Sequence, residues 1–237
     1  MAKITIIGYG KMGKEIEQLL NATGHTISAI IDNQSDWENQ RNALLQSDVA
    51  IEFSTPATAY YNCLQCIQNN IPVVTGTTGW DKELKKLLSE NETASFIYGS
   101  NYSIGANLFF KLNKELALLM NQQKQYEVKI NETHHTEKKD IPSGTAVSLA
   151  KIILANLERK DRWIADQEEE RALSIYSHRV ENVPGIHQID YESEEDTISI
   201  LHTAHGRKGF ASGAVKAALW LLQNPGNYNF QEIFHLI

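Results

Sequence analysis

The stretch KITIIGYGKMGKEI, residues 3–16, sets the frame for the whole chain. KITII reads as a short buried strand, rich in β-branched residues, and an amphipathic helical pattern begins near Lys11. Between them lies Gly8-Tyr9-Gly10-Lys11-Met12-Gly13, a G-x-G-x-x-G spacing in the strand-to-helix context that dinucleotide binding requires. The first glycine permits the tight turn, the second lets the backbone approach a pyrophosphate, and the third allows the helix to pack closely on the strand. The acidic residue expected about 20 positions downstream is Asp32, at the end of the strand TISAIID. Asp32 would accept hydrogen bonds from a ribose 2′-hydroxyl, and Asn33 stands where an arginine would meet a 2′-phosphate. The sequence therefore leans to NADH over NADPH, with Lys11 and Arg41 the nearby cations able to tolerate the phosphate.

Working outward, the first half alternates β-branched runs with amphipathic stretches. TISAIID, DVAIEFS, IPVVTG and ASFIYG are separated by helical patterns, which predicts β-α units and a parallel sheet. The loop VVTGTTGW falls at the carboxyl end of one such strand, where open α/β sheets bind ligands. Its Gly76, Thr77, Thr78 and Gly79 offer backbone and hydroxyl groups to a nicotinamide ribose or carboxamide. After SNYSIGAN the rhythm changes: a helix from about Asn107 to Met120, a strand in YEVKINETHH, and a helix in TAVSLAKIILANL. ERKDRWIADQEEERA reads as a solvated connector, and three consecutive strand candidates follow it without intervening helices, which suggests a mixed or antiparallel sheet. The apolar helix SGAVKAALWLL would pack back on the first lobe. The expected architecture is α/β: a Rossmann domain over residues 1–106, completed by 208–237, with a smaller α+β domain bearing a mixed sheet at 107–207.

At 237 residues and 42% hydrophobic content the chain can bury a substantial core. A formal charge of −7 disfavours nucleic acid as a partner, so any anionic ligand must be held by a local cationic cluster. No run approaches the roughly 20 apolar residues of a membrane span, and the N-terminus lacks a secretory apolar stretch, so a cytoplasmic location is expected. Cys63 and Cys66 form C-x-x-C, but their helical surroundings point to two reduced cysteines on a helix face rather than redox or metal chemistry.

A second concentration of chemistry lies in ETHHTEKKDIPSGTA, residues 132–146. Two histidines end a strand, Lys138 and Lys139 follow in a loop, and Ser143-Gly144-Thr145 opens a helix. The unpaired N–H groups of a helix start bind anions, a lysine adds full charge, and histidine is the side chain whose proton exchanges nearest neutral pH. The spacing H-H-x-x-K lacks the H-E-x-x-H arrangement and any cysteine support, so no metal is expected.

This motif resembles that of the dihydrodipicolinate reductase family, H-H-x-x-K-x-D-x-P-S-G-T-A. The resemblance extends through IIGYGKMG, IEFSTPA, GTTGW, SNYSIGANL, SHRVENVPGIH and HGRKGFASGAVKAALWL. It departs from the family at Ser100 and Tyr102, where alanine or proline and phenylalanine often flank the asparagine. The resemblance implies that His134 and Lys138 are catalytic, sharing proton donation and substrate contact. His135 would bind substrate, Gly144 and Thr145 would hold a carboxylate, and Ser143 would support the turn. Ser54, Ser100, Asn101 and Tyr102 would join the glycine loop and Gly76, Thr77 and Thr78 around the cofactor. It implies hydride reduction of a cyclic unsaturated imine dicarboxylate on the lysine and diaminopimelate route, by a homotetramer. Another amino-dicarboxylate dehydrogenase, or a nicotinamide sensor without turnover, is the alternative.

Overall fold

The computed structural model describes residues 1–237. The first half runs β1 (Lys3–Ile7), α1 (Lys11–Thr23), β2 (Thr26–Ile31), α2 (Gln34–Asn39), α3 (Arg41–Leu44), β3 (Val49–Glu52), α4 (Pro56–Gln68), β4 (Val73–Thr75), α5 (Asp81–Glu90) and β5 (Phe96–Tyr98). The second runs α6 (Ile104–Met120), β6 (Glu127–His134), α7 (Gly144–Asn156), β7 (Arg162–Ala165), β8 (Ala172–Arg179), β9 (Gly185–Glu192) and β10 (Thr197–Ala204), then α8 (Lys208–Leu221), β11 (Asn227–Asn229) and α9 (Phe230–Ile233). The contacts divide the chain into two compact units, Met1–Ile104 with Arg207–Ile237, and Gly105–Gly206.

In the first unit a six-stranded, all-parallel sheet has the order β11-β5-β4-β3-β1-β2, with the sequence reversal between β1 and β3 that defines the Rossmann crevice. Strands buried on both faces need apolar side chains on both, and Ile4, Ile6 and Ile7 of β1 and Val49, Ala50 and Ile51 of β3 supply them. One face packs on α1 and α8 through Ile16, Leu20, Ala214 and Leu221, the other on α4 and α5 through Cys63, Cys66, Leu84 and Leu87. Both cysteines are free and buried, and burial pushes both thiols up, so neither is a reactive thiolate.

The second unit is a five-stranded mixed sheet, β10-β9-β6-β8-β7, antiparallel across β10-β9-β6 and parallel across β6-β8-β7. Its core packs Met120, Leu149, Ile153 and Ala150 against Val128, Ile130, Ile175 and Ile189. No helix of the chain is long and apolar enough to cross a membrane.

Three local expectations change. The charged segment after α7 is not a plain connector: Arg162–Ala165 forms β7, an edge strand parallel to β8. Its single large anchor, Trp163, packs partly on the core, and the charges around it hid so short a strand. The strand β11 after α8 completes the first sheet although Asn227-Tyr228-Asn229 has no apolar run, because pairing with β5 alone defines it. The helix α6 starts at Ile104, ahead of the expected Asn107, and α8 at Lys208, ahead of Ser212.

Candidate active site

In the first unit, Gly8 has φ +87° and a Cβ there would lie 2.2 Å from the Phe53 carbonyl oxygen, so only glycine is accommodated. A Cβ on Gly13 would lie 2.2 Å from the Gly8 carbonyl oxygen, whereas Gly10 faces open space. Gly10 is the N-cap of α1 and supplies no side-chain cap, so the first-turn N–H groups of α1 are left for an anionic ligand. The donor set and the open cradle thus fit a dinucleotide pyrophosphate, with Tyr9, Lys11 and Met12 on the same turn. Asp32 is exposed at the end of β2 and accepts the Tyr9 N–H at 2.6 Å. Asn33 caps α2, and Asp36 returns a carboxylate oxygen to the N–H groups of Asp32 (2.8 Å) and Asn33 (3.1 Å). Two carboxylates therefore stand at this corner, one of them unforeseen.

The other cofactor candidates gather around Glu52, which the sequence reading passed over. Its fully buried carboxylate accepts the Ser54 N–H at 2.9 Å and the Thr77 hydroxyl at 3.0 Å, and also the hydroxyls of Ser54 and Thr75. It thereby joins the ends of β3 and β4, fixing Ser54 and the Gly76-Thr77-Thr78 turn. Ser100 is exposed and Asn101 half-buried, with its side chain accepting the Ser103 N–H at 2.9 Å. The Tyr102 ring lies in the core: it packs on Phe53 and Phe230, and its hydroxyl donates to the carbonyls of Thr75 (2.8 Å) and Ile97 (3.2 Å). Its side chain braces the ends of β4 and β5 from within the core.

In the second unit, the alternation that buries Val128 and Ile130 continues through β6 to bury Glu132 and His134. The sheet register sets Glu132 between Ser177 of β8 and His187 of β9. One carboxylate oxygen of Glu132 accepts the Ser143 N–H (3.0 Å) and the Ser177 hydroxyl (2.8 Å), with the Arg179 guanidinium at 3.4 Å. The other lies 3.2 Å from His134 Nδ1 and 3.8 Å from His187 Nε2. The His134 contact is at ion-pair distance but does not meet hydrogen-bond geometry, so both atoms are buried without a hydrogen-bond partner. Burial pushes the Glu132 carboxyl up, but hydrogen bonds from His134, Ser143 and Ser177 outweigh it and hold the group well below the usual carboxylate range. Glu132, His134 and His187 place three donor atoms within 4.8 Å of one another. The Arg179 guanidinium lies against the other oxygen of Glu132, and His187 Nε2 pairs with the Ser143 hydroxyl at 3.2 Å.

Ser143 caps α7 by accepting the Ala146 N–H at 3.2 Å and is itself buried. Gly144 is exposed and Thr145 half-buried at the helix start. Lys138 pairs with Asp140 at 2.9 Å, and Asp140, held below its ordinary value first by Lys138, also draws on the Gly144 N–H. His135 is half-buried, its Nδ1 without a protein partner. Arg179 donates to the carbonyls of Asp140 (2.7 Å) and Lys138 (3.3 Å), tying this loop to the sheet. His134, Lys138, Ser143, Gly144 and Thr145 therefore surround one corner of the second unit. Glu132, Ser177, Arg179 and His187 were missed as participants. Extending the β6 alternation by one step beyond Ile130 would have found Glu132, whereas Ser177, Arg179 and His187 appeared only within SHRVENVPGIH, with no role attached. A separate cavity of about 510 Å³ in this unit lies among Glu127, Lys129, Lys160 and Glu192, whose charges pair with one another at 2.6–2.7 Å.

Burial, then the neighbouring His134, pushes His187 down to about 4. The unfolded chain takes up that proton near pH 6.5, so acidification from about 6.5 to about 4 favours unfolding, and above 6.5 the term vanishes. Urea melts should lose stability on the order of 2–3 kcal/mol over that window through this group, His202 adding in the same sense. His187→Gln should flatten the slope there. An unchanged slope would show that His187 is not held neutral.

Two family models cover the chain: "Dihydrodipicolinate reductase, N-terminus" over residues 2–102 and "Dihydrodipicolinate reductase, C-terminus" over 105–234. A 4-hydroxy-tetrahydrodipicolinate reductase of Christiangramia forsetii is 42% identical over 232 residues, covering 97% of this chain and 96% of that protein. One from Rickettsia rickettsii is 36% identical over 236 residues, covering 96% of each. Among solved structures, a dipicolinate-bound dihydrodipicolinate reductase from Paenisporosarcina shares the fold with a TM-score of 0.79 at 24% identity, covering 98% of this chain and 99% of that one. With the Rossmann sheet, the mixed sheet and both family models spanning nearly all of it, the chain belongs to the dihydrodipicolinate reductase family.

Proposed function

We propose that the protein catalyses the NAD(P)H-dependent reduction of dihydrodipicolinate, arising from 4-hydroxy-tetrahydrodipicolinate, to tetrahydrodipicolinate in lysine and diaminopimelate biosynthesis. The observation that carries this reading is the pairing of Lys138 Nζ with the Asp140 carboxylate at 2.9 Å, in the loop between the buried His134 and the start of α7. A substrate carboxylate can take that place: Gly144 and Thr145 offer N–H and hydroxyl donors, and Lys138 adds its charge. His135 would contact substrate from the same strand end. Bound nicotinamide would supply the hydride. The residues of the chain bind the dicarboxylate, neutralise it, and deliver the proton from His134 or Lys138. Turnover of freshly condensed pyruvate and aspartate semialdehyde, followed by nicotinamide absorbance, tests this. Absence of oxidation with either cofactor, in protein that binds them, would favour a sensing role.

Gly8 to Gly13, Asp32, Ser54, Gly76 to Thr78, and Ser100 and Asn101 would form the cofactor site, with the buried Tyr102 ring behind them. NADH should serve at least as well as NADPH, because Asp32 and Asp36 both oppose a 2′-phosphate. Specificity constants favouring NADPH by more than about tenfold, or about 1.4 kcal/mol, would overturn this. A cytoplasmic homotetramer is the assembly we infer, without nucleic-acid or membrane partners. Ile198 and Leu201 on edge strand β10 and Leu112 and Leu119 on α6 are exposed apolar side chains suited to such contacts. Light scattering should return about four times the chain mass of 26.7 kDa; a monomer at working concentration would remove the assembly.

A further inference from the structure

We infer that Glu132 is the positioning residue of the proton donor: it fixes His134 as the Nδ1–H tautomer and turns Nε2 to the substrate side. This rests on the reduction proposed above. The two carboxylate oxygens divide their work. One accepts Ser143 N–H, the Ser177 hydroxyl and Arg179, which stitches β6, β8 and the start of α7 together. The other is spared by those donors and faces His134 Nδ1 at 3.2 Å. A structural stitch needs only the first oxygen.

The surroundings leave Nδ1 one use. It is buried, and the groups closing on His134 are Glu132 on its own strand, Arg179 from β8, and His187 from β9, whose ring is 5.0 Å away edge-on. A guanidinium only donates, and His187 Nε2 is paired with the Ser143 hydroxyl at 3.2 Å, so the carboxylate is the acceptor facing an Nδ1–H. Nε2 lies along Gly185 of β9, where a Cβ would come within 3.1 Å of it. The missing side chain keeps that edge of the ring clear. With Nδ1 committed to Glu132, Nε2 is the nitrogen that can give a proton to substrate, and the carboxylate stabilises the imidazolium that gives it. The same carboxylate holds Ser143, the cap of the carboxylate-binding helix, so donor and cradle share one anchor.

The test pairs Glu132→Gln with the unsubstituted protein. Glutamine keeps an oxygen for Ser143 and Ser177 but offers an NH₂ to His134, which favours the opposite tautomer. Histidine ¹⁵N spectra of the unsubstituted protein should show neutral His134 protonated at Nδ1, and at Nε2 in the variant. In steady state kcat should fall roughly 10²-fold, the scale of losing general acid help, with the substrate KM changed by less than about threefold. An Nε2–H tautomer in the unsubstituted protein overturns the inference, even if the variant does not fold. So does a folded variant, checked by its melting curve, that keeps kcat within about twofold. If the unsubstituted protein does not oxidise NADH with the condensed substrate, the reduction itself fails. The tautomer then still decides whether Glu132 holds His134.

Discussion

His134→Ala and Lys138→Ala are each expected to lower kcat by roughly 10²-fold or more, the usual cost of removing general acid-base help. Both side chains are held without being used up by the fold. His134 sits at the end of β6 with Nδ1 3.2 Å from Glu132 and its ring edge-on to His187, and Lys138 is half-buried in a loop with an exposed, displaceable partner in Asp140. Thr145→Ala should behave differently. Losing one hydrogen bond to a charged group removes on the order of 1.5–3 kcal/mol, and if the contact is equal in ground and transition states the loss appears in KM. NADH affinity should hold in all three variants, since the dinucleotide loop belongs to the other unit. Steady-state kinetics and a cofactor titration on each variant check this together. Near-normal kcat in both alanine variants with collapsed NADH affinity would make the motif a cofactor element.

Gly213→Ala should be among the most destabilising single-methyl additions in the chain. A Cβ at Gly213 would lie 1.8 Å from the Tyr102 carbonyl oxygen and 3.4 Å from its Cβ, at the packed side of α8. A backbone oxygen cannot rotate away as a side chain can, so α8 or the segment around Tyr102 must move. Tyr102 cannot yield cheaply, because its ring is locked by Phe53, Phe230 and two carbonyl acceptors. Overpacking commonly costs 1–3 kcal/mol, and a rigid contact this close should reach about 3 kcal/mol or more. At about 2–4 °C per kcal/mol for a domain of this size, the melting temperature should drop by roughly 6–12 °C. Gly10→Ala is the contrast: open space surrounds its Cβ, so stability should stay within about 0.5 kcal/mol while dinucleotide affinity falls. A Gly213→Ala protein melting like the unsubstituted one would show that α8 can lift away from Tyr102 freely.

Sequence alone determined whatever depends on a few adjacent residues. Gly8 needs a left-handed backbone and Gly13 a close approach, and both requirements are written at fixed offsets between β1 and α1. Ser143 caps α7 through a bond spanning three residues, so PSGTA announces the helix start before any fold is known. The alternation of β-branched strands with amphipathic helices implied the parallel sheet, because each element must bury its own apolar face. Tertiary structure decided the rest. Glu132 becomes the centre of the second site only when β8 and β9 bring Ser177 and His187 from 45 and 55 positions away in sequence to either side of it. Glu52 likewise matters only once β4 delivers Thr75 and Thr77. β7 and β11 are too short for periodicity to show, and exist as strands because a neighbour offers them a ladder. Buried carboxylates are costly unless donors surround them, and strands distant in the chain supply those donors, so pairing register, which no local pattern encodes, chose the groups around His134.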